Sequence, residues 1–173
     1  MAWIRVTLLS AIFAASFVAH AQTTGKLAAS SVCERSVLHQ TASIDDPGQH
    51  SISLDQRICI WPAPIRLGNS NSRQYTSTGT DDVQFDRSDD RGYAVGTTDD
   101  GDKYFLKYEG TSTMNGAVPV HLEGTWQFTG GTGKLDGLRG RGHYIAKPDA
   151  QGGMIFSIEG EYSVEPRPKT NPK

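Results

Sequence analysis

Gly130-Gly131-Thr132-Gly133-Lys134-Leu135-Asp136-Gly137-Leu138-Arg139-Gly140-Arg141-Gly142-His143-Tyr144 is the stretch on which the reading of the fold turns. Six of its fifteen residues are glycine, and alternating runs flank it, Val120 to Thr129 before and Met154 to Val164 after. A period of two marks a strand with one buried face. The glycines between the runs therefore serve backbone geometry, a tight reversal followed by a strand with little side chain of its own. On that strand Gly140, Gly142 and Tyr144 share a face, leaving bare backbone against which large side chains of neighbouring strands can lie. Barrels with a tapered interior are built this way.

In the run before it, Val120, Leu122, Gly124, Trp126 and Phe128 fall on one face, and His121, Glu123, Thr125, Gln127 and Thr129 on the other. That is the pattern of an antiparallel barrel wall, apolar inside and polar outside. A loop centred near Ala150 sets Arg141 opposite Glu159, Arg139 opposite Glu161 and His143 opposite Ser157. On the other face it sets Tyr144 against Phe156, Gly142 against Ile158 and Gly140 against Gly160. The Arg and Glu residues read as solvated cross-strand pairs rather than an acid–base cluster.

Upstream, Gly92 to Thr98 and Lys103 to Thr111 form a hairpin through Thr98-Asp99-Asp100-Gly101-Asp102, where Asp-Gly supplies the positive dihedrals of a tight turn. These aspartates lack the spacing of a calcium loop and read as turn residues, as do Asp45-Asp46 and Asp89-Asp90. Earlier strands are expected near Ser36 to Ala42, Ser51 to Trp61, Arg73 to Thr80 and Val83 to Asp86. Ile52, Leu54, Ile58 and Ile60 share one face of the second, and Pro62 and Pro64 end it.

The pattern Phe128-x-Gly130-Gly131-Thr132-Gly133-Lys134-Leu135-x-Gly137-x-x-Gly140-x-Gly142-x-Tyr144, followed by Ile158-Glu159-Gly160-Glu161-Tyr162, resembles the allene oxide cyclase barrel-like superfamily, which includes the dirigent proteins and small secreted bacterial proteins. The resemblance covers about Tyr93 to Val164. It implies an all-β fold, a closed, antiparallel, up-and-down eight-stranded barrel of the calycin kind. The matching motif is architectural and does not carry the cyclase reaction with it.

Residues 1–21 combine an early Arg5, an apolar run from Val6 to Val18 and Ala19-His20-Ala21. They read as a signal peptide cleaved before Gln22, the run being shorter than a membrane span. Residues 22–31 are small and polar and read as a flexible leader. The barrel domain is expected over 32–164, and a disordered tail over 165–173. The chain has 17 Lys+Arg and 19 Asp+Glu. Removing the signal peptide takes away Arg5 alone and leaves a net charge of −3. So mild and mixed a balance points away from nucleic acid. No transmembrane segment is expected in the mature chain, and an oligomer is left open. Export to a secreted or periplasmic location makes Cys33 and Cys59 a disulfide.

Catalytic templates fail. Gly131-Thr132-Gly133-Lys134 resembles the end of a phosphate loop, but Leu135 stands where Ser or Thr belongs and Phe128 where the first Gly belongs. No G-x-S-x-G occurs, the histidines lack ligand spacing, and no catalytic set, metal site or cofactor is assigned. The leading expectation is a non-enzymatic binder of a small apolar molecule in the barrel mouth. Its lining would be the inward aromatics Tyr93, Trp126, Phe128, Tyr144, Phe156 and Tyr162. One alternative is a cyclase or isomerase using confinement and a buried carboxylate, for which Glu109 and Glu123 are the candidates. The other is an envelope interaction protein with a filled barrel, which exposed Trp61 or Trp126 would favour.

Overall fold

The computed structural model describes residues 22–34, 36–44, 49–116 and 118–165. The expected signal peptide and all but Glu165 of the expected tail lie outside these. Among the described residues nine strands follow in order: β1 Thr23–Cys33, β2 Leu38–Ser43, β3 His50–Leu67, β4 Ser70–Gln84, β5 Arg87–Thr98, β6 Lys103–Asn115, β7 Val118–Gly131, β8 Leu138–Pro148 and β9 Met154–Val164. From β3 to β9 each strand pairs antiparallel with the next, and β9 pairs with β1. Closure of β1 on β3 makes an eight-stranded barrel, with β2 as an extra strand on β3.

The closing seam is short. β1 meets β3 only at Val32↔Ile60 and Cys33↔Cys59, and β2 pairs with the preceding half of β3. The two cysteines at the seam are disulfide-bonded and fully buried. The bond therefore cross-links the barrel at the place where main-chain pairing is thinnest.

Three glycine pairs sit directly opposite one another: Gly79↔Gly92, Gly110↔Gly124 and Gly142↔Gly160. An aromatic side chain lies over each. A methyl group added at Gly92 would come within 2.5 Å of the Tyr108 hydroxyl, one at Gly124 within 2.6 Å of the Tyr144 hydroxyl, and one at Gly160 within 2.5 Å of the Trp126 ring. Bare backbone lets the wall come up against these rings, so large aromatics fit inside a narrow barrel.

The Gly-rich stretch closes one end. Its single turn of 3₁₀ helix, Gly133–Leu135, seats Leu135 in a core with Trp61, Leu67, Tyr104, Phe128 and Leu138. The β5–β6 turn anchors it from outside. Asp102 accepts the Lys134 backbone N–H at 2.9 Å, the Lys103 N–H donates to the Thr132 hydroxyl at 2.8 Å, and Asp100 pairs with the Lys134 ammonium at 3.1 Å. These aspartates are turn residues, as read from the sequence.

Several expectations are corrected. The supposed leader is β1, paired with β9 from Thr23↔Val164 to Cys33↔Met154. Its interior face is Leu27, Ala29, Ser31 and Cys33, small groups whose alternation is weak in the sequence because the wall is crowded by aromatics from other strands. The barrel thus begins near residue 23, not 32. β3 does not stop at Pro62 and Pro64. A register irregularity between Ile60 and Ile65 absorbs both prolines, which have no N–H to donate, and the strand runs on to Leu67. Trp61, Ile65 and Leu67 point inward, whereas Ile52, Ile58 and Ile60 are exposed on the outer wall. Val83 belongs to β4, which ends at Gln84 and turns through Phe85 and Asp86, with Phe85 at φ 57°.

The β8–β9 register is also displaced by two residues from the expected one. Arg141 faces Glu161, Arg139 faces Ser163 and His143 faces Glu159, while Tyr144 faces Ile158 and Gly142 faces Gly160. The cause lies in the loop. Asp149 Oδ1 accepts the N–H groups of Gln151 and Gly153 at 2.8 and 2.6 Å, and Gly152 takes φ 82°. With this side-chain turn the strands pair as far as Pro148↔Met154, so the loop is 149–153, centred on Gln151 rather than Ala150. A shift of two keeps every residue on its face, so the inside–outside assignment of the hairpin stands. In β7 an irregularity between Thr113↔His121 and Met114↔Pro119 turns Val120 outward.

Candidate functional site

A cavity of about 390 Å³ occupies the barrel above the packed base. Its lower wall is apolar, with Leu27, Ala94, Leu106, Trp126, Phe128 and Ile158. Towards the open end, on β2 to β6, the lining becomes polar and carries Asp55, Asp81 and Asp90 with His39, Arg57 and Ser77.

Strand periodicity places the three carboxylates together. Ser53 and Asp55 share the inner face of β3, Asp81 that of β4, and Ser88 and Asp90 that of β5, with Asp81↔Asp90 and Ser53↔Asp81 as cross-strand neighbours. Ser53 Oγ donates to Asp81 at 3.0 Å and reaches Asp55 at 3.3 Å. Asp90 accepts from Ser88 at 2.7 Å and from Ser112 at 2.6 Å.

Asp55 differs from the other two. The Ser36 hydroxyl donates to it, the His39 ring lies at 3.1 Å and Arg57 at 3.5 Å. Burial works against its charge, but the hydrogen bonds from Ser36, His39 and Asp81, together with Arg57, hold its carboxyl below the usual range. Asp81 moves the other way. Burial first, then the Asp90 carboxylate beside it and Asp55 beyond, push it up to about 7, which the bond from Ser53 only partly offsets. Among the described residues neither Asp81 nor Asp90 has an ion-pair partner.

Tyrosines complete the wall. Tyr108 accepts from Ser77 at 3.0 Å, and Tyr75 is hydrogen-bonded to Ser31 at 2.7 Å. Tyr144 is only 4% exposed, lines the cavity, and its hydroxyl has no partner among the described residues. Burial pushes the phenols of Tyr75, Tyr108 and Tyr144 up, so all three are neutral donors. Tyr144 stands edge-on to Tyr108 at 6.4 Å between ring centroids and tilted against Phe156 at 5.8 Å.

Of the six aromatics expected inside, Trp126, Phe128, Tyr144 and Phe156 line the cavity. Tyr162 is inward but belongs to the closed base, where its hydroxyl accepts the Gly68 N–H at 3.1 Å. Tyr93 is on the outer wall at 68% exposure, because the inner face of β5 belongs to Ser88, Asp90, Gly92, Ala94 and Gly96. Trp61 and Trp126 are both buried. Glu109 and Glu123 are exposed, so neither is the buried carboxylate sought. That group was missed because Asp89-Asp90 resembles turn sequence. The available signal was the Ser-x-Asp spacing of Ser53/Asp55 and Ser88/Asp90, which puts hydroxyl and carboxylate on one strand face. Among the described residues no group of three His, Cys, Asp or Glu could hold a metal ion.

The fold is a closed antiparallel barrel with a plugged base and a cavity above it. The chain is similar to a pterocarpan synthase dirigent protein at a TM-score of 0.52 and 10% identity, over 90% of this chain and 92% of that one. It is also similar to a conserved protein of unknown function from Rhodopseudomonas palustris, at a TM-score of 0.43 and 9% identity, over 80% and 98% of the two chains. Neither a protein-family model nor a curated protein sequence matches it. At 10% identity the likeness to the dirigent protein is one of fold.

Proposed function

We propose that this protein is an exported calyx that holds one small, largely apolar molecule in its barrel. The observation that carries the reading is the cavity, continuous from an aromatic wall at its floor to the carboxylates near its open end. A volume of about 390 Å³ is within the range of small-molecule sites. Apolar surface with a few convergent polar groups is how such sites fix orientation. Export is supported by the buried Cys33–Cys59 disulfide, which an oxidising compartment maintains, and by the signal-like residues 1–21.

The test is titration with a neutral bicyclic probe, 1-naphthol, read by the fluorescence of Trp61 and Trp126, which both line the cavity. Saturable one-to-one quenching that is lost in Ala94→Phe, which fills the cavity, supports the calyx. No saturable binding by the wild-type protein of 1-naphthol, or of an amine or carboxylate with the same bicyclic body, sinks it.

A second reading, a shape-directed isomerase or cyclase, is favoured by Asp81. A carboxyl poised near 7 inside a cavity is suited to give a proton to a bound substrate and take it back. Turnover of a candidate substrate that Asp81→Asn abolishes, with binding retained, would establish it.

A further inference from the structure

We propose that the cavity selects a cation: its ligand pairs an aromatic-sized apolar body with a protonated amine, seated between the carboxylates of Asp81 and Asp90 and against the ring and hydroxyl of Tyr144. This deepens the calyx reading and rests on it.

Charge within the cavity is unbalanced. Arg57 and His39, the cationic or potentially cationic side chains of the lining, are both engaged with Asp55. Asp81 and Asp90 are left with serine hydroxyls from β3, β5 and β6 and with other carboxyl groups, Asp81 with Asp55 and Asp90. Hydroxyls satisfy lone pairs but do not neutralise charge, so a second negative charge enters this pair at a cost that a ligand cation removes. The groups facing Asp81 are His39 on β2, Asp55 and Arg57 on β3, Asp90 on β5, Tyr108 on β6 and Tyr144 on β8.

Independent of the acids, Tyr144 carries a buried hydroxyl with no partner among the described residues. It lies over Gly110 and Gly124, and Gly110 is the cross-strand neighbour of Asp90. A buried polar group that the surrounding chain leaves unmatched is expected where a ligand supplies the match. Rings of Tyr108, Tyr144 and Trp126 border the same space, and aromatic faces attract ammonium groups. Carboxylates, an unmatched hydroxyl and aromatic walls together favour an amine over a fatty acid or other anion.

When the cation enters, the proton on Asp81 leaves to solvent and the carboxylate takes the ammonium as its partner. Cation binding is thus coupled to proton release and strengthens as the pH rises through about 7. The test compares three probes with one bicyclic body, namely 1-naphthylmethylamine, 1-naphthol and 1-naphthoate, by isothermal titration calorimetry at pH 5.5 and 8. The amine is expected to bind at least about tenfold more tightly than the alcohol at pH 8 and to gain about thirtyfold from pH 5.5 to 8. At pH 5.5 it should release close to one proton, read from buffers of different ionisation enthalpy. Naphthoate should bind weakest. Asp81→Asn should remove the pH dependence, and Tyr144→Phe should weaken the amine several-fold at unchanged thermal stability. Equal or tighter binding of naphthol or naphthoate overturns the cation proposal and leaves the calyx standing. Failure of all three probes overturns both.

Discussion

Folding must keep a proton on Asp81 that an unfolded chain gives up. Its carboxyl is pushed up to about 7 from an ordinary 3.8 by burial and by Asp90 and Asp55. Stability that is present below about pH 4 is therefore lost as the pH rises through about 7, on the order of 4 kcal/mol in all. Asp55 has the opposite sign, since its lowered carboxyl adds stability that disappears on acidification. Asp81→Asn should raise the melting temperature at pH 8 and leave it near wild type at pH 4; an equal effect at both would refute the assignment. A second expectation concerns close approach. A methyl group at Gly96 would lie 1.9 Å from the Tyr104 ring, so Gly96→Ala should cost about 1–3 kcal/mol in urea unfolding. Combined with Tyr104→Ala it should cost less than the sum of the two, because the clash needs both groups. The sequence showed this logic at Gly140 and Gly142, which sit beside the Gly-rich stretch. It hid Asp81 and Asp90, because a buried carboxylate on a strand has the same letters as a turn.

At the scale of elements, the seam and the β8–β9 loop carry the sharpest expectations. The disulfide spans 26 residues, and the chain-entropy account gives about 3.5 kcal/mol for a loop of that length. Cys33→Ser with Cys59→Ser should lower stability by about 2–5 kcal/mol and raise hydrogen exchange first along β1 and the facing part of β3. Uniform loss of protection would mean that β1 is held by β9 alone. Asp149→Ala removes the acceptor of two backbone N–H groups and should cost about 1–3 kcal/mol by thermal unfolding. Strands with clear alternation, β7 and β9, were legible in the sequence, as was the β5–β6 turn. β1 was not, because its inner face of Leu27, Ala29 and Ser31 is small and only the open edges of β9 and β3 call it into the sheet. The two-residue register error came from a side-chain turn at Asp149 that periodicity does not encode.

Across the whole molecule, the barrel is apolar at its plugged end and acidic towards its mouth, with an aromatic wall between. The eight-stranded closure was legible from glycine and alternation, whereas the polarity of the interior emerges only when β3, β4 and β5 lie side by side. The central claim is that this interior holds a ligand. The most direct measurement is a native mass spectrum of the protein purified from an oxidising export compartment, before and after denaturation, for wild type and Ala94→Phe. The account predicts one discrete small-molecule mass per chain, lost on denaturation and absent from the filled variant. An adduct retained by Ala94→Phe, or a wild-type protein that is free of adduct and takes up none of the three naphthyl probes, would contradict it.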